Sequence, residues 1–504
     1  MITLHQRLLF HILNHLSWRD LLTCSQVCKT LERLVNGVPS LRYRIELEAT
    51  GMTDNEFHPW SPREKLARLR RYEQAWADFF PSKVSKSVIP LSEETGWEWY
   101  GGILATTLGD HTVHFFQPGS RTRAIPRKSW ILDFALSVGT MHMDTYQELI
   151  ILTFFEEERN FLHLIDIHTG RKHPLANMVK IPLPAPLHAT YDIQTWGHKV
   201  AMLIRWLDGN TRRSRIAVWD WQLGIPIIMH ESEFDRDETT DRYVDYTAHV
   251  FLDDDRLLLS CCDYVDGNGF RNGRIVVLDL TKGNKAFQHI LSFRVPLAAD
   301  GFSLVDMVIA RNCPSTHSSK NVAFQTSQVT AAIAIRCVYQ EQTLGLTQDI
   351  LIFTPSGIFS SLCDKFVSPQ TTSVDWNLWG PKNTRAFDNT DLTYFVLFGS
   401  HFLLVQDHSV MLYDLNHRGA LSNITLSLTN CVGEDDNPTE LSLATSFTSP
   451  TTIQSQMLKE ELITSLPYRV LSTGLTDEKG IEMVISEDNI AINNNDEMFI
   501  IYSI

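Results

Sequence analysis

Apolar residues near the start of the chain recur every three or four positions, which is the spacing of one face of an α-helix. A first run ends at Leu16, and Ser17 with Asp20 three residues later predicts the start of a new helix. The apolar positions are Leu8, Leu9, Ile12, Leu13 and Leu16 in the first run and Leu21, Leu22, Cys24, Val27, Cys28, Leu31 and Leu34 in the second. This pattern predicts two short helices that leave apolar surface for a partner, or else the N-terminal cap of a larger core.

Helical patterning continues to about residue 80. The stretch 42–51 is predicted to be a helix closed by Gly51, and Ser61, Pro62 and Glu64 combine an N-cap, a proline at the first helical position and the acid of a capping box. The next helix carries an apolar stripe of Leu66, Leu69, Trp76 and Phe80 and a basic face of Arg68, Arg70 and Arg71. We expect the stripe to be buried and the arginines to be solvated.

From Trp97 onward the pattern changes to short alternating strands that end in polar turns. Four of these runs end in aspartate, at Asp166, Asp220, Asp279 and Asp414. The steps between them fit one repeating unit of blade-like length with loop insertions, the last step covering two units. The polar stretches 312–320 and 433–456 break this period and are predicted to be loops on the rim.

Repeated β units of this size cannot bury both faces alone, so a closed ring is the best prediction for them. The fold class is therefore α+β multidomain: a small all-α N-terminal part and helical linker, then a large all-β domain, a β-propeller of six or seven blades. The C-terminal strand, residues 498–504, is expected to complete the ring by pairing with an early blade. A pair of β-sandwiches or two smaller β domains remain as alternatives.

Composition limits the function classes. The chain has 504 residues and a net charge of −15, which disfavours nucleic acid as its main partner because phosphate binding needs clustered Lys and Arg. Neither a long apolar run nor a secretory signal is found, so we expect no membrane partner and a cytoplasmic or nuclear location, or both. The eight cysteines lack zinc-type spacing; Cys261 and Cys262 adjoin in a strand and are expected to point to opposite faces.

Candidate catalytic and metal sites are weak. His111 with His114, and His163 with its neighbours in the same strand and turn, lack the geometry of a metal site. The stretch 263–269 hints at a calcium loop, but a glycine-rich hairpin is the better prediction because the alternating ligands are missing. We therefore predict no catalytic residues, no metal and no cofactor.

The N-terminal pattern, however, resembles a known family. Ile12-Leu13, Leu16, Asp20-Leu21-Leu22, Cys24 and Val27-Cys28-Lys29 follow the order of an F-box, although the opening Leu4-His5 replaces the usual Leu-Pro and Leu31 replaces a common Trp. A helix that ends in Glu-Leu-x-x-x-Gly-Met, followed by an Arg-rich helix that leads to Ala75-Trp76, also resembles the linker of a large class of fungal F-box proteins. This resemblance covers about the first hundred residues and includes 97–102, where the next domain begins. The resemblance implies an F-box at 1–50, a helical linker at 51–96 and a substrate-recognition propeller at 97–504.

The resemblance also implies a function. F-box proteins dock on the Skp linker protein, and through it on a cullin, as substrate receptors of SCF-type ubiquitin ligases, so this chain would hold an unknown protein substrate and catalyse nothing itself. The residues that the resemblance assigns to Skp binding are Leu4, Leu8, Leu9, Ile12, Leu13, Leu16, Leu21, Leu22, Val27, Cys28 and Leu31. The alternatives are a Skp-bound scaffold or ligand-binding propeller without ligase activity, and an enzymatic propeller.

Overall fold

The structure is a computed structural model. It describes residues 6–79, 83–91, 96–109, 111–135, 137–156, 159–186, 188–209, 211–232, 234–237, 240–265, 270–281, 289–313, 322–366, 372–389, 395–406, 409–416, 445–476, 482–494 and 498–504.

The first part of the chain is helical, as predicted. Its elements are α1 (Gln6–Asn14), α2 (Trp18–Val27), α3 (Lys29–Gly37), α4 (Pro39–Ala49), β1 (Met52–Asp54), α5 (Pro62–Ala77) and β2 (Ser85–Pro90). The single helix predicted after Ser17 is divided in the structure, because Cys28 has extended backbone (φ −160°, ψ 159°) and separates α2 from α3. The predicted capping box at Ser61 is present, with Glu64 accepting a hydrogen bond from the Ser61 backbone.

The rest of the described chain forms four-stranded antiparallel units. Blade 1 comprises β3 (Trp97–Tyr100), β4 (Ile103–Leu108), β5 (Thr112–Gln117) and β6 (Lys128–Asp133). Blade 2 comprises β7 (Met141–Asp144), β8 (Leu149–Glu156), β9 (Arg159–Asp166) and β10 (Lys180–Pro182). Blade 3 comprises β11 (Thr190–Trp196), β12 (Lys199–Asp208), β13 (Thr211–Asp220) and β14 (Ile225–Glu231).

The next two blades belong to one continuous sheet, in which Phe270 of blade 4 pairs with Leu304 of blade 5. After the short β15 (Phe234–Asp237), blade 4 comprises β16 (Thr240–Phe251), β17 (Arg256–Val265), β18 (Phe270–Asp279) and β19 (His289–Arg294). Blade 5 comprises β20 (Phe302–Ala310), β22 (Ala332–Glu341), β23 (Thr347–Pro355) and β25 (Arg385–Asn389). Its connections contain β21 (Phe324–Thr326), α6 (Ser356–Phe366), β24 (Ser373–Val374) and α7 (Trp376–Asn383).

The last two blades close the ring. Blade 6 comprises β26 (Phe395–Phe398), β27 (His401–Gln406), β28 (Ser409–Asp414) and β32 (Tyr468–Thr476), with β29 (Thr445–Phe447), β30 (Thr451–Ile453) and β31 (Leu462–Thr464) in its connection. Blade 7 comprises β33 (Glu482–Ile485), β34 (Asn489–Asn494), β35 (Met498–Ser503) and, as its outer strand, β2. The domain is therefore a seven-bladed propeller, which confirms the predicted fold class.

Ring closure uses a strand from the predicted linker. β2 lies within 51–96 and pairs with the C-terminal β35 along its whole length, from Ser85 opposite Ser503 to Pro90 opposite Met498. The expected pairing of the C-terminal strand is thus made with a strand that precedes blade 1, where a pairing with an early blade had been expected. Each outer strand edge is a row of unpaired backbone groups, and this pairing satisfies that of β35.

The aspartates that mark the repeat have a common structural role. Asp166, Asp220, Asp279 and Asp414 each end the third strand of a blade. Their carboxylates accept hydrogen bonds from backbone N–H groups two or three residues later, such as Thr169, Leu223, Thr281 and Asn416. Because these N–H groups begin a turn and have no strand partner, an acceptor side chain at this point stabilises the turn.

The core lies between neighbouring blades. The adjacent Cys261 and Cys262 on β17 pack into different clusters, one shared with blade 3 and the other with blade 5, which confirms that they point to opposite faces. Burial raises the pKa of both thiols. Both sides of a central strand are thus covered, which accounts for the nearly continuous apolar runs in these strands.

The linker helix packs against one end of this propeller. The turns between the first and second strands of the blades, such as 101–102 and 486–488, lie at one end, called here the linker face. The turns between the second and third strands lie at the opposite end, called the hairpin face. Tyr72 and Trp76 of α5 both donate hydrogen bonds to the backbone carbonyl of Glu487, at 2.7 and 3.1 Å, so α5 lies on the linker face.

A second connection joins the linker to blade 5. β1 pairs with β21, which lies between the first two strands of that blade. Gly51, just before β1, has φ of +70°, and a Cβ there would meet the Thr330 side chain at 2.9 Å. The position therefore requires glycine, both as the predicted helix stop and because the backbone approaches blade 5 closely.

Candidate functional site

The four N-terminal helices enclose a small core of their own. Its buried members are Leu13, Leu21, Leu34, Val35, Leu41 and Ile45. Burying a side chain of this size stabilises a fold by roughly 1.5–3 kcal/mol. The module therefore has a core of its own, distinct from the cores between the blades.

Two polar contacts fix the path between α1 and α2. The Ser17 hydroxyl accepts a hydrogen bond from the Asp20 backbone at 3.2 Å, so the predicted N-cap is present. Arg44 of α4 donates to the carbonyls of Asn14 and Leu16, which the end of α1 leaves without helical partners. Sequence reasoning missed Arg44, since nothing in the local pattern around it indicates a contact about thirty residues away.

Helix α4 is buried on two sides. Leu41 and Ile45 belong to the core of the helical module, whereas Tyr43 and Leu47 pack into a second core with α5 and with blades 6 and 7. Arg70 of α5 also makes two hydrogen bonds to Glu46 of α4, at 2.7 and 2.8 Å. A single helix therefore belongs to both cores, and this joins the module to the propeller through packing.

The predicted Skp-binding residues fall into three groups. Leu13 and Leu21 are buried in the core. Leu9, Leu16, Leu22 and Leu31 are half-buried and pack against it. Leu8, Ile12 and Val27 expose 48, 43 and 69% of their surface, and Cys28 is also exposed. Leu4 lies outside the described residues.

The exposed group forms the candidate docking surface, defined as Leu8 and Ile12 on α1 with Val27 and Cys28 where α2 meets α3. Leu8 and Ile12 are four residues apart and so lie on the same side of their helix. Large apolar side chains with this exposure add free energy to a complex only when a partner covers them. The role of each residue in binding remains a prediction.

Polar side chains line the propeller channel and link its inner strands. Glu98 on β3 lies 3.1 Å from Nδ1 of His142 on β7, and Nε2 of His142 lies 3.4 Å from the Thr195 hydroxyl on β11. Burial lowers the pKa of His142, but the carboxylates of Glu98, Asp144 and Asp192 together outweigh burial and raise that pKa above its ordinary value. Asp192 on β11 and His249 on β16 form a similar pair at 3.5 Å.

This order of carboxylate, imidazole and hydroxyl resembles a catalytic relay, but each member comes from a different blade. Glu98 also accepts a hydrogen bond from the Met143 backbone at 3.0 Å, so its carboxylate ties blade 1 to blade 2. A structural role is the better interpretation, because the contacts join consecutive inner strands around the channel. Within the described residues, no group of three or more His, Cys, Asp or Glu side chains could hold a metal ion.

The described residues include only part of each predicted rim loop. Residues 445–456 of the predicted 433–456 loop are described and contain β29 and β30, while 433–444 lie outside the described residues. Of the other, 312–320, only residues 312 and 313 are described. Among the helices that the structure describes, none is long and apolar enough to cross a membrane.

Comparison with known proteins supports the helical module. Residues 6–48 match the family model of F-box-like domains. No curated protein matches the chain. Similar solved structures include the AfRom2 CNH domain (9% identity, 83% of this chain and 99% of that chain, TM-score 0.32) and the Dos1 propeller (10% identity, 80% and 75%, TM-score 0.36). Since these scores are low, the count of blades rests on the strand pairing alone.

The chain thus carries an F-box-like domain at residues 6–48, followed by a seven-bladed β-propeller. This combination fits, in general terms, a substrate-recognition subunit of an SCF-type ubiquitin ligase, and it is typical of adaptors that do not catalyse.

Proposed function

We propose that this protein is the substrate receptor of an SCF-type cullin-RING ubiquitin ligase. Its F-box-like module would dock on a Skp linker protein, and through it on a cullin, while the propeller holds a target protein. The observation that carries this proposal is that α4 belongs both to the core of the module and to the second core, which α5 shares with blades 6 and 7.

A shared helix matters because such a receptor acts by proximity. Holding a target near the ubiquitin-loaded enzyme raises its effective concentration, and the gain is lost if the two binding sites cannot be occupied together. If the module moved freely on a flexible linker, the bound target would occupy many different positions relative to the ubiquitin-loaded enzyme. Packing of α4 and α5 on blades 6 and 7 limits that spread.

We further propose that the target binds the hairpin face, since α5 lies on the linker face. Exposed apolar side chains occur at the hairpin ends of several blades. They are Leu108 in blade 1, Phe155 in blade 2, Leu207 in blade 3, and Leu344 and Leu346 in blade 5, exposed by 45 to 73%. Such residues are common anchors of protein interfaces when a partner surrounds them.

A second candidate function is a Skp-bound, ligand-binding propeller without ligase activity. A cavity of about 180 Å³ favours it, because Tyr100, Trp196 and Phe251 line this space together with Arg311. Aromatic walls with one cation suit a small polar or aromatic molecule.

Reconstitution with purified Skp linker, cullin and RING subunits tests the main proposal. The receptor function predicts that the chain enters a complex with all three and that the complex transfers ubiquitin. Capture of the Skp linker without the cullin would favour the second candidate instead.

A further inference from the structure

A cavity of about 780 Å³ lies where the F-box-like module meets blade 5 on the linker face. Arg19 of α2 lines it from the module, and Lys365 of α6 and Lys382 of α7 line it from the propeller. Val329 and Leu378 contribute apolar walls. These five residues define the basic groove.

The charge of the groove has one sign. Its lining contains the three cations and no Asp or Glu side chain among the described residues. None of these cations forms an ion pair with a described residue; Arg19 lies over the Trp18 ring at 5.2 Å and Lys365 over the Phe366 ring at 5.0 Å. A local excess of positive charge is notable on a chain whose net charge is −15, because it attracts an anionic group that the rest of the surface repels.

The carboxylates closest in sequence already have partners. Asp20 accepts a hydrogen bond from the Ser17 hydroxyl at 2.7 Å, Asp364 pairs with Arg256 at 3.0 Å, and Asp375 lies 3.5 Å from Arg294. None of these three carboxylates lines the groove. The cations are therefore available to carboxylates from outside.

The apolar side chains in the groove limit the class of ligand that can bind there. Val329 and Leu378 are 57 and 65% exposed, so a ligand in the groove would bury apolar surface on both side chains. A ligand that covers both and places carboxylates against the three cations must combine apolar and acidic groups. A nucleic acid would use the cations but leave the apolar walls uncovered.

We propose that the basic groove binds an acidic peptide segment, with interspersed apolar residues, of a partner protein. Because Arg19 belongs to the module and Lys365 and Lys382 to the propeller, the bound segment bridges the two domains and adds to the packing that α4 provides. This site is separate from the docking surface and from the hairpin face, and it does not depend on the proposed ligase function.

The test uses the full chain and a fluorescein-labelled peptide with the sequence Glu-Leu-Asp-Leu repeated three times, followed by fluorescence anisotropy. We expect saturable binding that weakens with salt, and no binding of the same peptide with Gln and Asn in place of Glu and Asp. The double variant Lys365→Glu, Lys382→Glu should bind at least tenfold more weakly, and Arg19→Glu should also weaken binding. The matched control is Lys83→Glu, Lys86→Glu, which reverses two exposed lysines near and on β2 and should bind as the wild type does.

Several results would overturn the proposal. Equal affinity of the groove variant and the wild type would place the peptide elsewhere, and absence of binding both to the wild type and to a variant with residues 419–442 replaced by a Gly-Ser linker would remove the site. Tighter binding of a single-stranded RNA oligonucleotide than of the peptide would assign the groove to nucleic acid. Residues 419–442 contain the acidic residues Glu434, Asp435, Asp436 and Glu440. Peptide binding that appears only when this stretch is replaced by a Gly-Ser linker would assign the groove to that segment of the chain itself.

Discussion

The hydroxyl of Tyr72 donates a 2.7 Å hydrogen bond to the backbone carbonyl of Glu487, a residue 415 positions later in the chain. The Glu487 carboxylate in turn pairs with Arg123 of blade 1 at 2.5 Å and accepts from the Thr326 backbone at 2.5 Å. One turn of blade 7 therefore holds the linker helix, the first blade and the β21 segment together. This turn is thus one of the points at which the linker is attached to the propeller.

Truncation of the second aromatic residue at this turn tests its contribution. Trp76→Ala removes a buried side chain that also donates to Glu487, and such changes destabilise by about 3–5 kcal/mol. We expect a clear drop in the first melting transition measured by calorimetry. Arg71→Ala, at an exposed position of the same helix, is the control and should shift it little. An unchanged melting curve for Trp76→Ala would show that α5 does not depend on this contact.

The stability of the linker should depend on pH through Glu73. Burial raises the pKa of its carboxyl from 4.5 to about 7, although Arg469 opposes the shift. Because the folded pKa lies above the unfolded one, the stabilising effect of the protonated form is complete below about pH 4.5 and is lost as pH rises through 7.

Glu73→Gln keeps the neutral form at every pH. We expect this variant to be more stable than the wild type at pH 8, by about 1–2 kcal/mol since the side chain is partly exposed, and to match it near pH 4. Denaturant unfolding at the two pH values measures the difference. A variant that is less stable at pH 8 would mean that the carboxylate is paired there.

Ring closure predicts opposite results for two neighbouring residues of β2. Ile89 is buried between blade 7 and blade 1, whereas Val88, on the other side of the strand, is 48% exposed. Ile89→Asp would bury an unpaired charge and should prevent a stable fold or cost more than about 3 kcal/mol. Val88→Asp should change stability by only about 0.5 kcal/mol. Similar effects of the two substitutions on thermal unfolding would contradict the pairing of β2 with β35.

Thiol labelling can locate the surface that a Skp linker covers. Cys28 is exposed and Cys24 partly so, while Cys261, Cys262, Cys313, Cys337 and Cys363 are buried with raised pKa values. The eighth cysteine, Cys431, lies outside the described residues. In a Cys431→Ser background we expect a maleimide to label Cys28 first and the buried thiols only on unfolding. Bound Skp linker should slow labelling of Cys28, and unchanged labelling in the complex would exclude this residue from the interface.

Much of this architecture could be predicted from local sequence. The Ser17 and Ser61 caps, the repeating aspartates and the opposed faces of Cys261 and Cys262 are set by neighbouring residues or by strand periodicity, and the structure confirms them. Blade number fell within the predicted six or seven because the aspartates mark the same point in four of the blades and so give the length of the repeat.

Other features depend on long-range packing and left little local signal. Leu13 and its neighbour Ile12 both belong to the apolar pattern of the first helix, yet Leu13 is buried and Ile12 is exposed. The apolar face is broad, and the sequence pattern alone does not indicate which of its residues the module buries in its own core. The alternating burial along α4 arises because two cores meet there. The pairing of β2 with β35 joins residues about four hundred positions apart, and the periodicity of apolar residues within a strand does not indicate which distant strand it pairs with.

Capture by a purified Skp linker is the measurement that tests the central claim most directly. The chain would be compared with the Leu8→Asp, Ile12→Asp double variant, which changes exposed residues and should stay folded, in contrast to variants of the buried Leu13. Leu344→Asp, a change of the same kind on the hairpin face, is the control. We predict that the wild type and the control bind the Skp linker and recruit cullin, and that the double variant binds at least tenfold more weakly. A folded wild type that captures no Skp linker, or a double variant that binds as well as the wild type, would contradict the proposed receptor function or its docking surface.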